Sequence, residues 1–200
     1  RDLRRSLEHF VDEVVWSERS DYRDLLLSEH IFLNERLATF YGAEPLQGDA
    51  LQKVTLPNRP NSGVLTHPFL LSAHSYHNNT SPIHRGVFIS RNVLGRLLKP
   101  PVEAVAFKDD EFDPALTMRE KITQLTKASS CMECHRIINP VGFSLENFDA
   151  VGRHRLEDNR KPVDTVTRYI NEYEREVPIG GIHDVATMAA GSRLAHEAFI

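Results

Sequence analysis

Cysteine is scarce in this chain: its 200 residues include only Cys131 and Cys134. A framework of several disulfides is therefore excluded. The two cysteines lie three positions apart and a histidine follows directly, in the run Cys131-Met132-Glu133-Cys134-His135. Chance would place such a triplet in roughly one chain in a thousand of this composition, so the run indicates a local chemical site.

Long apolar runs and a strong excess of charge are also missing. No apolar run approaches the roughly 20 residues that span a bilayer, so no membrane span is predicted. The net charge of -4 gives no reason to expect a nucleic-acid partner or an anionic membrane surface. No signal peptide is visible, and both ends of the chain fall in helical patterns, which suggests a segment of a longer protein.

The spacing of apolar residues predicts a mainly α fold. Helices are expected over 3–15, 25–41 with a break allowed near Ser28, 81–98 and 117–127, around the cysteines, and from about Asp184 onward. The remaining stretches predict long loops, with at most a short strand at Gln52–Leu56, a linker at 99–116 and one small β-hairpin within 160–181.

Capping residues predict where several of these helices begin and end. Ser81 followed by Pro82 indicates a helix start, and Thr117 with Glu120 forms a capping-box pattern. A serine at 129 or 130 is expected to cap the cysteine helix. Pro140 and Gly142 are expected to end it.

The cysteine run has the geometry needed for covalent haem attachment. Residues at i and i+3 share a helix face with Cβ atoms about 5–6 Å apart, so both thiols can reach one edge of a porphyrin. A histidine after the second cysteine can ligate the iron, and C-x-x-C-H is the c-type haem signature. A ligating histidine usually donates its other N–H, and the loop 137–141 is expected to offer a carbonyl. The prediction is haem c, held by Cys131, Cys134 and His135.

Two other sites compete with haem. Structural zinc needs four protein ligands, and there is no second C-x-x-C, although the ten histidines leave a Cys2His2 site open. A thioredoxin-like dithiol needs a strand before the motif, whereas a helix is predicted there.

The residues after the motif carry a family resemblance. Positions 139–155 read NPVGFSLENFDAVGRHR. This run resembles D-P-x-G-F-x-L-E-N-F-D-x-x-G-x-x-R, which follows C-x-x-C-H in the planctomycete-type cytochrome-associated proteins. The segments 63–86 and 32–42 resemble the two preceding modules of the same family, so the resemblance covers nearly the whole chain.

The resemblance implies an exported, covalent haem protein, in the periplasm or secreted, and it implies no particular reaction. We expect a compact helical c-type cytochrome-like domain with two parts. Helical N-terminal modules at 1–116 would pack on a haem-binding module at 117–200. The expected role is single-electron transfer within a larger protein, to a redox partner protein or a fused enzyme domain.

Two departures from the family pattern stand out. Asn139 replaces the usual aspartate, which puts a carboxylate role at that position in doubt. Many relatives also carry an additional cysteine pair, with one member near Gly95 and the other near Ala198, and this chain has neither. The joint loss is what a missing structural disulfide would look like.

The second iron ligand separates electron transfer from reaction at an open iron. Met188, 53 positions after His135, is a candidate, but it also fits the apolar stripe of the last helix, and that core interpretation is favoured. The other candidates form a histidine cluster: His67, His74, His77 and His84. A five-coordinate iron also remains open.

Two arginines in the family-like segments are candidates for binding haem propionates. Arg85 and Arg155 can bind carboxylates bidentately, and the competing interpretation is structural pairing with Glu146 or Asp149. The alternatives to electron transfer are a haem peroxidase or oxygenase-like centre with an open iron position, and a zinc-stapled structural or interaction module.

Overall fold

The computed structural model describes residues 1–99 and 105–198, and these contain nine α-helices. The helices are α1 (Asp2–Val15), α2 (Asp24–Leu27), α3 (Glu35–Tyr41), α4 (Pro68–Ala73), α5 (Pro82–Asn92), α6 (Met118–Leu125), α7 (Ser129–Phe143), α8 (Ile182–Gly191) and α9 (Arg193–Ala198). Short 3₁₀ turns lie at Gly63–Thr66 and Asp109–Glu111. The mainly α prediction is confirmed.

The described strands form three antiparallel pairs. They are β1 (His30–Leu33) with β2 (Gln52–Thr55), β3 (Glu157–Asp158) with β4 (Lys161–Pro162), and β5 (Thr167–Ile170) with β6 (Glu176–Ile179). Ile31 faces Val54 in the first pair, and Tyr169 faces Val177 in the last. The hairpin expected within 160–181 is therefore β5–β6, and the other two pairs were not expected as hairpins.

The helix predicted over 25–41 is wrong in its middle. Residues 30–33 form β1, and helix returns only at α3. Ile31, Phe32 and Leu33 are consecutive apolar β-formers, all buried, which suits a strand covered on both faces. Asn34 then caps α3 by accepting a hydrogen bond from the backbone N–H of Leu37.

Several other helix ends differ from prediction. α5 ends at Asn92 rather than near Leu98, and Gly95 takes a left-handed φ of 65°. The final helix is interrupted at Ser192, which gives α8 and α9. The capping box at Thr117 and Glu120 is confirmed, with both of its hydrogen bonds present.

The cysteine helix is longer than the sequence suggested. α7 passes through Pro140 and Gly142 and ends at Phe143. Pro140 removes one backbone donor inside the helix, and α7 still continues for three residues, where Gly142 packs against Pro82 of α5. The N-cap is Ala128 without a side-chain bond, so the expected serine cap is wrong.

Helices α5 and α7 pack against each other through two glycines. A Cβ at Gly86 would lie 2.3 Å from the carbonyl oxygen of Ile138, and one at Gly142 would lie 2.1 Å from that of Pro82. These two contacts show that the helices run antiparallel with backbones in direct contact. No larger residue fits either position without moving a backbone.

The main hydrophobic core takes residues from both sides of position 116. It includes Leu26, Leu65, Ile89, Val141 and Val185, all of which are fully buried. The division into 1–116 and 117–200 stays a prediction, and the two parts share this core. Within residues 1–99 and 105–198, no helix has the length and apolarity required to cross a bilayer.

Candidate haem site

The cysteine motif occupies the first two turns of α7. Cys131 and Cys134 are half-buried and carry free thiols. Cys134 packs against the main core, and the side chain between them, Met132, is 38% exposed. The helical i, i+3 spacing places both sulfurs on one side of α7 at a partly open surface. His135 is half-buried on the next turn.

A hydrogen-bond chain holds the imidazole of His135. Its Nδ1 lies 2.8 Å from Oδ1 of Asn139, and Nδ2 of Asn139 donates to Oγ1 of Thr126 at 2.9 Å. The Thr126 hydroxyl donates to the carbonyl of Ile122 at 2.8 Å. Asn139 and Thr126 are buried, so these four residues form a chain shielded from water.

The direction of this chain fixes the proton on His135. A carbonyl has no proton, so the hydroxyl of Thr126 must supply the one between it and Ile122. The group facing the remaining lone pairs of Thr126 must be the donor end of Asn139, which turns Oδ1 toward the imidazole. The proton then lies on Nδ1, and Nε2 of the neutral ring keeps the lone pair that binds iron.

The acceptor for His135 differs from the one expected. The prediction was a backbone carbonyl from a loop at 137–141, whereas the acceptor is the side-chain amide of Asn139 within a continuous helix. The contact of Asn139 with His135 and the role of Thr126 were not predicted, because Pro140 was expected to end the helix and Asn139 stood out only as a departure from the family pattern. The i, i+4 spacing of His135 and Asn139 was the available signal.

The contacts of Arg85 favour the structural alternative, and its binding of a haem propionate stays a prediction. Its side chain is 0% exposed. Its guanidinium donates to oxygens of Leu71, Ser75, Leu145, Phe148 and Asp149, at 2.7 to 3.4 Å. Burial lowers the Arg85 pKa to about 10. The group joins the 145–149 segment to α4.

The contacts of Arg155 also favour the structural alternative, and its binding of a haem propionate stays a prediction. It donates to the carboxylate of Glu146 at 3.2 Å and to that of Asp158 at 2.9 Å. Glu146 is buried, and burial raises its pKa, while Thr80 donates a hydrogen bond to the same oxygen that Arg155 reaches. Arg155 therefore supplies the positive charge that the buried carboxylate of Glu146 needs, because an unpaired buried charge is strongly destabilising.

The remaining family-like residues shape the turn after α7. Asp149 accepts hydrogen bonds from the backbone N–H groups of Val151 and Arg153 and pairs with the Arg153 side chain. Gly152 has a φ of 80° and lies against Pro68. These contacts shape the turn and place Gly152 against the start of α4.

His67 is unavailable to iron, which removes it from the candidate distal ligands. Its Nδ1 accepts from the backbone N–H of Phe69 at 3.2 Å, so Nε2 carries the proton and meets Oγ of Ser6 at 3.1 Å. Ser6 in turn donates to the carbonyl of Phe32. The 3% exposed imidazole thus caps α4 and ties it to α1 and β1.

His67 should make the protein acid-sensitive. Burial, with a further contribution from Arg59, lowers its pKa from 6.5 to about 3. The unfolded chain therefore takes up a proton before the folded one, and the free energy of unfolding should fall by roughly 4 kcal/mol between pH 6.5 and pH 3. Urea titrations across this range should show a shallower decline in His67→Asn, which keeps a capping acceptor. Identical slopes would contradict this role.

The other distal candidates differ in exposure. His77 and His84 are exposed, and Nδ1 of His84 lies 2.9 Å from the hydroxyl of Ser81. His74 is half-buried against the ring of Phe88. Met188 is half-buried and packs against the main core, consistent with the core interpretation. The distal ligand stays a prediction among these four residues, with five-coordinate iron as the remaining option.

The zinc alternative lacks ligands. In the part of the chain that the structure describes, no group of three or more His, Cys, Asp or Glu side chains is placed to hold a metal ion. Structural zinc requires four. A cleft of about 420 Å³ lies between α6 and the β3–β4 pair. The cysteines do not line it, and Lys161 within it pairs with Glu120.

The two positions expected to correspond to a lost cysteine pair lie side by side. A Cβ on Gly95 would be 3.2 Å from the Cβ of Ala198. Disulfide-bonded residues have Cβ atoms about 3.5–4.5 Å apart. The two positions where relatives are expected to carry the additional cysteine pair are therefore neighbours, one in the segment after α5 and one at the end of α9.

Comparison with known protein families gives two matches. Residues 61–158 match the family PSCyt3, described as a protein of unknown function (DUF1588), and residues 1–43 match PSD4, described as a protein of unknown function (DUF1592). No curated protein and no solved structure matches the chain. By name, both are families of planctomycete cytochrome-associated proteins, and the chain is similar to them over these two segments.

Proposed function

We propose that this chain is a covalent haem c domain that transfers single electrons within a larger exported protein. The observation that carries the proposal is the state of His135. Its Nδ1 proton is committed to Asn139, so Nε2 presents a lone pair one residue after two free, half-buried thiols. Similarity to cytochrome-associated families over residues 1–43 and 61–158 supports it.

The residues present fit a covalently attached haem. Cys131 and Cys134 are free rather than joined to each other, and they lie one turn apart on a partly open helix surface. Among the described residues, they belong to no group of three or more His, Cys, Asp or Glu side chains placed to hold a metal ion, which suits attachment through thioethers rather than a four-ligand ion site. The neutral imidazole of His135 is the form that ligates iron.

Each residue then has a distinct task. Cys131 and Cys134 would hold the ring, and Nε2 of His135 would ligate its iron. Asn139 fixes the plane of the imidazole, and Thr126 fixes the amide of Asn139. Cys134 stands against the apolar core, which keeps water from that side of the site. Bound haem supplies a one-electron centre whose potential depends on these contacts.

Optical spectroscopy of matured protein separates electron transfer from the open-iron enzyme. The full chain, produced in a host that attaches haem, should be reversibly reduced and reoxidised by chemical mediators. We expect a low-spin six-coordinate spectrum in both states, unchanged by CO or peroxide. A high-spin spectrum that binds CO and reacts with peroxide would overturn the electron-transfer role in favour of a peroxidase or oxygenase-like centre.

The proposal also implies where the protein is located and what kind of partner it has. Because haem is attached covalently outside the cytoplasm, a haem c domain implies a periplasmic or secreted protein. Electron transfer also requires a redox partner protein or a fused enzyme domain. Fractionation of cells that express the full-length gene should place the haem-stained product outside the cytoplasm. Haem-stained product confined to the cytoplasm would contradict this part of the proposal.

A further inference from the structure

The hydrogen-bond chain from Ile122 to His135 connects the end of α6 to the iron ligand. Thr126, just after α6, is 3% exposed, and Asn139 in α7 is 6% exposed. The Thr126 hydroxyl is itself anchored to Ile122 one turn earlier. The end of α6 is therefore linked to His135 of α7 through a single buried amide, that of Asn139.

This arrangement favours one tautomer of His135. If Asn139 were turned over, its Nδ2 would face Nδ1 of the imidazole and its Oδ1 would compete with Ile122 for the Thr126 proton. A buried polar group left without a partner costs about 1–3 kcal/mol. A cost in that range keeps the Nδ1–H tautomer roughly 5- to 150-fold more populated than the alternative.

The hydrogen-bond chain also determines the charge next to the proposed iron ligand, His135. Asn139 is an uncharged acceptor at a position where a carboxylate would fit the same contact. A carboxylate pulls the Nδ1 proton toward itself and makes the imidazole more electron-rich, which stabilises oxidised iron. An amide accepts the same hydrogen bond without adding negative charge.

From these contacts we infer that Thr126 and Asn139 are positioning residues that hold His135 as its Nδ1–H tautomer and keep the reduction potential of the bound haem above the value that a carboxylate at position 139 would give. The part that concerns potential rests on the proposed function. The part that concerns the tautomer belongs to the protein without haem. The two parts can therefore be tested separately.

The tautomer is read by 15N NMR of the haem-free full chain at alkaline pH. The wild type should show His135 protonated on Nδ1. Thr126→Val, which removes the hydroxyl and keeps the shape, should give a mixture of tautomers, and Thr126→Ser should restore the wild-type pattern. An Nε2–H signal in the wild type, or an unchanged signal in Thr126→Val, would overturn the inference.

The potential is read by redox titration of matured protein. Asn139→Asp should disfavour reduction at least tenfold, equivalent to about 59 mV for a one-electron couple. Arg136→Gln is the matched control, because it changes net charge by the same amount at a side chain 45% exposed beside His135. Equal shifts in the two variants would overturn the specific role of Asn139. Failure of haem to attach would instead refute the proposed function, and the NMR result would still decide the tautomer.

Discussion

Replacing Gly142 with alanine should remove most of the stability of this fold. The new Cβ would lie 2.1 Å from the carbonyl oxygen of Pro82, a backbone atom that cannot rotate away. Separating α5 from α7 would open the core around Ile89 and Val141. Overpacking of a core costs about 1–3 kcal/mol when side chains can adjust, and we expect more than about 3 kcal/mol here because they cannot.

The same substitution at Gly191 is the matched control. Gly191 ends α8, and a Cβ there meets nothing within 4 Å. Gly191→Ala should be neutral or stabilising by up to about 1 kcal/mol. Urea denaturation followed by circular dichroism measures both variants. Equal stability of Gly142→Ala and wild type would show that α5 and α7 do not pack as described.

Removing both thiols should abolish covalent haem and leave the fold intact. Cys131→Ala/Cys134→Ala deletes only two half-buried sulfurs, so the free energy of unfolding of the haem-free protein should change by about 1 kcal/mol or less per site. No other cysteine exists in the chain to form a thioether. Haem staining after a denaturing gel should therefore fall to background.

Met132→Leu is the control for this experiment. Met132 lies between the cysteines, is 38% exposed, and offers no thiol, so its replacement should leave the staining unchanged. Haem that stays with the double cysteine variant through denaturation would refute attachment at this motif.

Local signals predicted the elements that depend on neighbouring residues. The capping box at Thr117 and the first helix follow from short-range hydrogen bonds and apolar spacing, and both are present. β1 escaped prediction because its partner β2 lies some twenty residues further on, and only that pairing makes a strand of residues 30–33. Tertiary contact decided between two structures that the apolar run allowed equally.

In the candidate site, too, local features were predicted and those that depend on tertiary packing were not. The motif itself is visible in the sequence, because its chemistry depends on adjacent positions. Asn139 was hidden by Pro140, since a proline usually ends a helix and the packing that sustains α7 comes from α5. For Arg85, both haem binding and structural pairing were left open, because the sequence shows its charge but not its burial among backbone carbonyls.

Peptide mass analysis of matured protein tests the central proposal most directly. Trypsin should release residues 128–136, because Lys127 and Arg136 flank the motif. This peptide should carry one haem bound through both sulfurs, so that neither Cys131 nor Cys134 reacts with an alkylating reagent. Recovery of the same peptide without haem, with both thiols alkylated, would contradict a covalent haem domain.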